Sequence, residues 1–174
     1  MPIFQDAALS KNSHPSPGEP LVRLAFDAAE LARAFPARLS NRNKRAVYRV
    51  ACPPDAPHSG KVEFTRWPEM RLPEAMPAGQ ATAVEARADL FGYEPVDEKG
   101  GSVEWYLNFA DPELFCAYGG PLLAQDELQV AEHPILASLR ESLIARHVPA
   151  RTEENGRPTP VLVFGAERRC AIST

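Results

Sequence analysis

The chain has 174 residues, of which 44% are hydrophobic and 24% are charged. This length suits a single globular domain that buries a core without disulfides or metal ions. Its 18 prolines are roughly twice the average share of about 5%, and they exclude a mainly helical bundle because proline ends helices. The net charge of −4 gives no general basic field, so non-specific nucleic-acid binding is not expected.

The three cysteines, Cys52, Cys116 and Cys170, have neither the number nor the spacing of a disulfide framework or a CxxC metal site. We therefore expect a cytoplasmic protein without a bound metal or cofactor. No signal peptide is expected, because residues 1–16 contain no apolar h-region. No membrane span is expected, because no apolar run approaches the ~20 residues that a span requires. Residues 1–20 predict a flexible, proline-rich leader, and residues 21–174 predict one domain.

The first half of the chain predicts short elements. Asp27 is expected to cap a helix that runs to Phe35, since Asp accepts hydrogen bonds from the amides of a first turn. Residues 46–51 read as a strand. Residues 61–66 alternate between polar and apolar side chains, which is typical of a half-buried strand. Residues 81–91 favour a helix.

The second half predicts a strand over 103–109, a helix from about 124–126 to 132, a second helix that begins near Pro134, and a buried strand over 160–164. This order predicts a βαβ unit with a right-handed crossover. The expected fold class is therefore α/β. Ligands bind at the carboxyl ends of the strands in such sheets.

The densest polar cluster lies at that predicted sheet edge. Asn108 and Asp111 follow the first strand, and Gln125, Asp126 and Glu127 open the next helix. Amides at a helix N-terminus attract anions such as phosphates. A purely structural interpretation also fits, because acidic residues in a first helical turn stabilise the helix dipole.

The same segment resembles the poly(ADP-ribose) glycohydrolase family of the macrodomain-like superfamily. The residues that carry the resemblance are Asn108-Phe109-Ala110-Asp111 at the end of the strand, Gln125-Asp126-Glu127 at the start of the helix, Pro134, and Gly165-Ala166-Glu167. They cover about a third of the chain in the order and spacing of the family. The resemblance implies a macrodomain-like mixed sheet with flanking helices.

By this resemblance, Glu127 is the catalytic acid that protonates the leaving oxygen of an ADP-ribosyl linkage, and a water attacks the oxocarbenium-like ribose carbon. Asp126 would hold the ribose hydroxyls, and Asn108 and Asp111 would orient the distal ribose. Gln125, at the start of the helix, belongs to the expected ligand-binding set. The implied ligand is ADP-ribose or an ADP-ribosylated substrate.

The chain departs from the family pattern at several positions. The family has an acidic residue where this chain has Asn108, and an asparagine where this chain has Asp111. Asp126 replaces the first of the family's two adjacent glutamates. The family's triple glycine is absent, and Gly119 and Gly120 come slightly later, although glycine is what lets a backbone approach a diphosphate. Tyr118, beside them, is expected either to stack on a base or ribose or to pack in the interior.

Three functions therefore remain open: an ADP-ribose glycohydrolase, a module that binds ADP-ribose without cleaving it, and an interaction protein on the same scaffold. The family's sheet continues beyond the strand that ends near Phe164, whereas this chain stops at Thr174. Either the domain is trimmed and closed by its N-terminal half, or the residues form part of a longer product or an oligomeric assembly.

Overall fold

The computed structural model describes residues 18–70, 74 and 103–173. The chain forms two compact units, one made of Met1–Met70 with Phe109–Thr174 and the other of Arg71–Asn108. Of the second unit, residues 74 and 103–108 are described. Most of the predicted leader and the whole predicted helix over 81–91 lie outside the described residues.

The described elements are, in chain order, β1 (Val22–Asp27), α1 (Ala28–Ala34), α2 (Arg42–Ala51), β2 (Lys61–Arg66), α3 (Gln125–Glu132), α4 (Ile135–Ala145), β3 (Glu153–Glu154), β4 (Arg157–Pro158) and β5 (Val161–Phe164). The mixture of helices and strands confirms an α/β composition. Among these residues, no helix has the length and apolar character that crossing a membrane needs.

A three-stranded sheet in the order β1-β2-β5 supports the first unit, and both strand pairs are antiparallel. The central strand β2 buries Val62 and Phe64 on one face, as its alternating sequence predicts. Leu31 of α1 and Leu139 and Leu143 of α4 belong to the same core. The helices therefore cover the apolar face of the sheet.

Helix ends follow the predicted signals in several places. The carboxylate of Asp27 accepts a hydrogen bond from the amide of Glu30 at 2.9 Å and caps α1, as predicted. α3 and α4 begin at Gln125 and Ile135, which confirms the two helices predicted from residues 124–126 and from Pro134.

Three predictions about strands are wrong. Residues 46–51 belong to α2, whose first turn is capped by Asn41. Residues 103–109 form no strand, so the predicted βαβ unit is absent from the described residues. The strand predicted over 160–164 is confirmed as β5, but β5 pairs with β2 rather than with a strand before α3, and it is partly exposed instead of buried on both faces.

Candidate functional site

The loop before α3 is held at both ends by side chains that the sequence singled out. The carboxylate of Asp111, which is itself exposed, accepts a hydrogen bond from the amide of Glu113 at 2.9 Å and forms an Asx turn. The side-chain oxygen of Gln125 accepts one from the amide of Phe109 at 2.8 Å. Gln125 therefore ties the start of α3 to the start of the loop.

The two carboxylates expected to carry catalysis lie in the first turn of α3 and are almost inaccessible. The exposed fractions are 6% for Asp126 and 3% for Glu127. Oε2 of Glu127 accepts a hydrogen bond from the amide of Ala124 at 2.8 Å. This is the return bond of a capping box, in which the third helical residue satisfies the amide before the helix.

A buried lysine from α2 lies against this turn. Lys44 is 7% exposed, and its Nζ donates a hydrogen bond to the carbonyl oxygen of Tyr118 at 2.9 Å. Burial lowers the pKa of Lys44, and the negative charges of Glu127 and Asp126 partly offset this. The site thus combines two buried carboxylates and one buried amine, which reduces the cost of desolvating each charge.

The glycine pair of the loop packs against the chain that leads into α2. The carbonyl of Gly119 accepts hydrogen bonds from the amides of Ser40 and Asn41, at 2.9 and 3.1 Å. A Cβ on Gly119 would lie 2.3 Å from the carbonyl oxygen of Arg38, whereas one on Gly120 would meet nothing closer than 3.5 Å. The close backbone approach made by Gly119 is therefore to Arg38.

Tyr118 is a core residue with a fully used hydroxyl. The hydroxyl donates to Oε1 of Glu141 at 2.6 Å and accepts from the amide of Arg38 at 2.8 Å. The side chain of Arg38 in turn pairs with Oε2 of Glu141 at 2.9 Å. Burial and the bond to Glu141 raise the pKa of Tyr118. Stacking of this ring on a ligand stays a prediction.

The structure thus brings most of the predicted residues into one unit. Asp111, Gly119, Gly120, Gln125, Asp126, Glu127 and Tyr118 all belong to the first unit. Asn108 is the last residue of the unit Arg71–Asn108, and its role toward a ribose stays a prediction.

No match to this chain is found among protein-family models, curated proteins or solved structures.

Sequence reasoning missed the contacts that Arg38, Lys44 and Glu141 make with the loop. These contacts are tertiary, so a local pattern does not reveal them. The signal available was the cluster at residues 41–45, where Asn41 precedes a run of basic residues and caps a helix. The described residues contain no group of three or more His, Cys, Asp or Glu side chains that could hold a metal ion.

Chemically, this arrangement suits the binding of a polar ligand beside the loop that precedes α3. The loop between Asp111 and Ala124 leads into the helix N-terminus, where amides favour anions. Cys116 is exposed within it, and burial of the thiol together with the negative charge of Asp111 raises its pKa. The side chain of Asp111 is therefore an exposed polar group of this loop, whereas the carboxylates of α3 are buried.

Proposed function

We propose that this chain is an ADP-ribose glycohydrolase-like enzyme with its site at the loop 109–124 and the start of α3. The observation that carries the proposal is the burial of two adjacent carboxylates, Asp126 and Glu127, in the first turn of a helix that follows a glycine-containing loop. General acid catalysis requires a carboxyl group at a fixed position, and the hydrogen bond from the amide of Ala124 holds Glu127 at the start of α3.

In this proposal Glu127 donates a proton to the leaving oxygen, and the ribose carbon is attacked by water as positive charge develops on it. Asp126 holds the ribose hydroxyls, and the amides at the N-terminus of α3 receive the diphosphate. We further propose a macrodomain-like arrangement and a cytoplasmic site of action. The order of the motifs over 103–167 supports the arrangement, although the described strands pair only in antiparallel fashion.

A second function, binding of ADP-ribose without cleavage, is favoured by the partners of Glu127. Its carboxylate already accepts the amide of Ala124, and the amine of Lys44 lies close enough for the two charges to attract each other. Both interactions are strongest when Glu127 is ionised. An ionised Glu127 can hold a helix and a ligand but has no proton to donate.

The experiment that tests the enzyme is release of ADP-ribose from an ADP-ribosylated protein or polymer by the purified chain and by Glu127→Gln. Glutamine keeps an oxygen that accepts the amide of Ala124, so the variant is expected to fold with an unchanged Tm. If Glu127 is the acid, release falls by a factor of about 10² or more. Equal release by the two proteins would remove Glu127 from the mechanism.

Glu30→Gln is the matched control, because Glu30 is an exposed acid in the first turn of another helix, α1. It is expected to release ADP-ribose at the wild-type rate. Calorimetry with ADP-ribose separates the remaining functions. Binding without turnover supports the second function, whereas no binding and no rise in Tm supports an interaction protein, since a ligand of the folded state raises stability.

A further inference from the structure

The strand β1 forms one edge of the three-stranded sheet, away from the candidate site. In the part of the chain that the structure describes, it pairs with β2 on one side and with no strand on the other. An edge strand presents backbone amides and carbonyls that can pair with a further strand, unless a proline or a bulge blocks it. The six residues of β1 contain no proline, and their register with β2 is continuous. This edge can therefore receive a partner strand.

Three residues of β1 direct their backbone groups to the open side. In an antiparallel pair, facing residues alternate between those that exchange hydrogen bonds and those that do not. The amide of Ala28 donates to the carbonyl of Gly60 at 3.0 Å, in the same register as the strands before it. The even-numbered residues of β1 therefore bond to β2, and the amides and carbonyls of Arg23, Ala25 and Asp27 point away from it. The side chains of these three residues are also exposed.

The sequence of β1 is complementary to itself in one register. When two copies pair antiparallel about a twofold axis beside Ala25, each Ala25 faces the Ala25 of the other copy, and each Arg23 faces the other copy's Asp27. The two alanines exchange two hydrogen bonds, and each Asp27 amide donates to the carbonyl of the facing Arg23, which makes about four backbone bonds. The carbonyl of Asp27 is not counted, because the carbonyl of a helix N-cap accepts the first bond of its helix.

The charges of β1 favour this register over its neighbours. Opposite charges that face each other across an antiparallel pair stabilise it, and the register places Arg23 against Asp27 at both ends. The guanidinium of Arg23 already pairs with Glu63, but it has five N–H donors and can bind a second carboxylate. A shift by two residues would place Ala25 opposite one of the charges and separate the pairs. A shift by one would turn the apolar side chains to the other face.

The apolar face of β1 is complementary in the same register. Leu24 of each copy faces Phe26 of the other, at positions that exchange no hydrogen bonds and where facing side chains come closest. Both residues are partly buried and pack against the hydrophobic core. Pairing therefore continues the apolar layer under one sheet into that of the other.

We propose that the open edge of β1 binds a second copy of this chain and forms a twofold-symmetric dimer. A continuous sheet then joins the three strands of each copy. A second copy is favoured over an unrelated strand because the order of charges in β1, positive then negative around a central alanine, matches its own reversed sequence. A surface that fits itself in this way is what a twofold interface requires. The proposal does not depend on cleavage of ADP-ribose.

The oligomeric state of the purified chain tests the proposal. Sedimentation equilibrium between about 1 µM and 1 mM covers the affinities expected of an interface made by one strand from each copy. The dimer fraction is expected to rise with concentration, and the dissociation constant is expected to increase with salt, because salt screens the exposed charge pairs. A monomer over the whole range would overturn the proposal and leave the edge to a strand of another protein.

Ala25→Pro tests whether β1 is the interface. Proline is tolerated in an edge strand where the N–H does not point to the neighbouring strand, so pairing with β2 and the far-UV circular dichroism should be retained. The variant lacks the central amide and is expected to stay monomeric at concentrations where the wild type is a dimer. A folded Ala25→Pro that still dimerises would show that another surface is used, and the proposal would fail.

A cysteine at the twofold axis tests the register without relying on the proline variant. Facing Cα atoms of a hydrogen-bonded pair are about 5.5 Å apart, a separation that a disulfide bridges. Oxidised Ala25→Cys is therefore expected to give a dimer linked through residue 25, identified by peptide mass spectrometry. Ala29→Cys is the matched control, since Ala29 is an exposed alanine of α1 and should stay unlinked. Equal linkage of the two variants, or none at residue 25, would contradict the register.

Asp27→Asn tests the charge pairs. Asparagine caps a helix as well as aspartate does, so α1 is expected to remain intact. Two facing charge pairs are lost, and the dissociation constant is expected to rise about threefold or more and to lose most of its dependence on salt. If the variant dimerises with the affinity and salt dependence of the wild type, Arg23 does not face Asp27 and the proposed pairing is wrong.

Discussion

At Gly119 the main chain passes so close to Arg38 that a side chain has no room. The family resemblance assigns the glycines of this loop to a diphosphate, yet the described contact of Gly119 is with protein backbone. Its carbonyl and the carbonyl of Tyr118 both receive donors from the segment that includes Ser40, Asn41 and Lys44. The loop before α3 is thus shaped by the start of α2, whatever it binds.

Gly119→Ala is expected to destabilise the fold by about 1–3 kcal/mol, because the new Cβ would lie 2.3 Å from the carbonyl oxygen of Arg38 and backbone must move to relieve it. Urea unfolding at constant m-value measures the change. The control is Gly120→Ala, where the nearest atom is the Ala117 oxygen at an ordinary 3.5 Å. Equal losses in the two variants would contradict the packing role of Gly119.

At the scale of elements, α2 depends on an N-terminal cap, whose contribution to helix stability is not included in the strand or helix preferences of its residues. The side-chain oxygen of Asn41 accepts the amides of Asn43 and Lys44, at 2.9 and 3.1 Å. Asn41→Ala is expected to cost about 1 kcal/mol, measured as a lower midpoint in urea. Asn41→Asp keeps the acceptor and adds a charge that favours a helix N-terminus, so it should match or exceed the wild type. An alanine variant with wild-type stability would refute the cap.

This cap also explains why the sequence misleads at residues 46–51. Val47, Tyr48 and Val50 favour a strand by intrinsic preference, but a helix that starts at Asn41 and packs against α3 overrides it. The strand predicted over 103–109 does not form for a different reason. Its apolar side chains at 103, 105, 107 and 109 are exposed, because a local pattern does not provide a partner strand that would bury them.

The candidate site also contains some residues whose positions the sequence could predict and others whose positions it could not. The start of α3 and the positions of Gln125, Asp126 and Glu127 could be predicted, because acidic residues in a first turn are a local signal. Lys44 could not, since its place beside them results from packing between α2 and α3, which are far apart in sequence. Likewise β5 pairs with β2 across about a hundred residues, a contact that no short pattern encodes.

At the scale of the whole molecule, the first unit is closed by its C-terminal tail. Glu132 at the end of α3 is fully buried, and its two oxygens accept from Arg168 at 2.9 Å and from the amide of Ile172 at 2.8 Å. Next to it, His133 is buried with Nδ1 3.0 Å from the carbonyl oxygen of Gln129. The tail, α3 and the loop that holds His58 therefore share one interior region.

Acid should loosen this region. Burial lowers the pKa of both His58 and His133 below the ordinary value of 6.5. The unfolded chain binds protons first as the pH falls, so the stability from burying neutral imidazoles is complete above about pH 6.5 and is lost below it. The free energy of unfolding, from urea titrations between pH 7.5 and 5.5, should fall by up to about 1.4 kcal/mol per pH unit for each histidine.

His133→Gln, whose amide can still donate to Gln129, should reduce this slope, whereas His147→Asn, at an exposed residue with positive φ, should keep it. A wild-type slope of zero over this range would contradict the assignment.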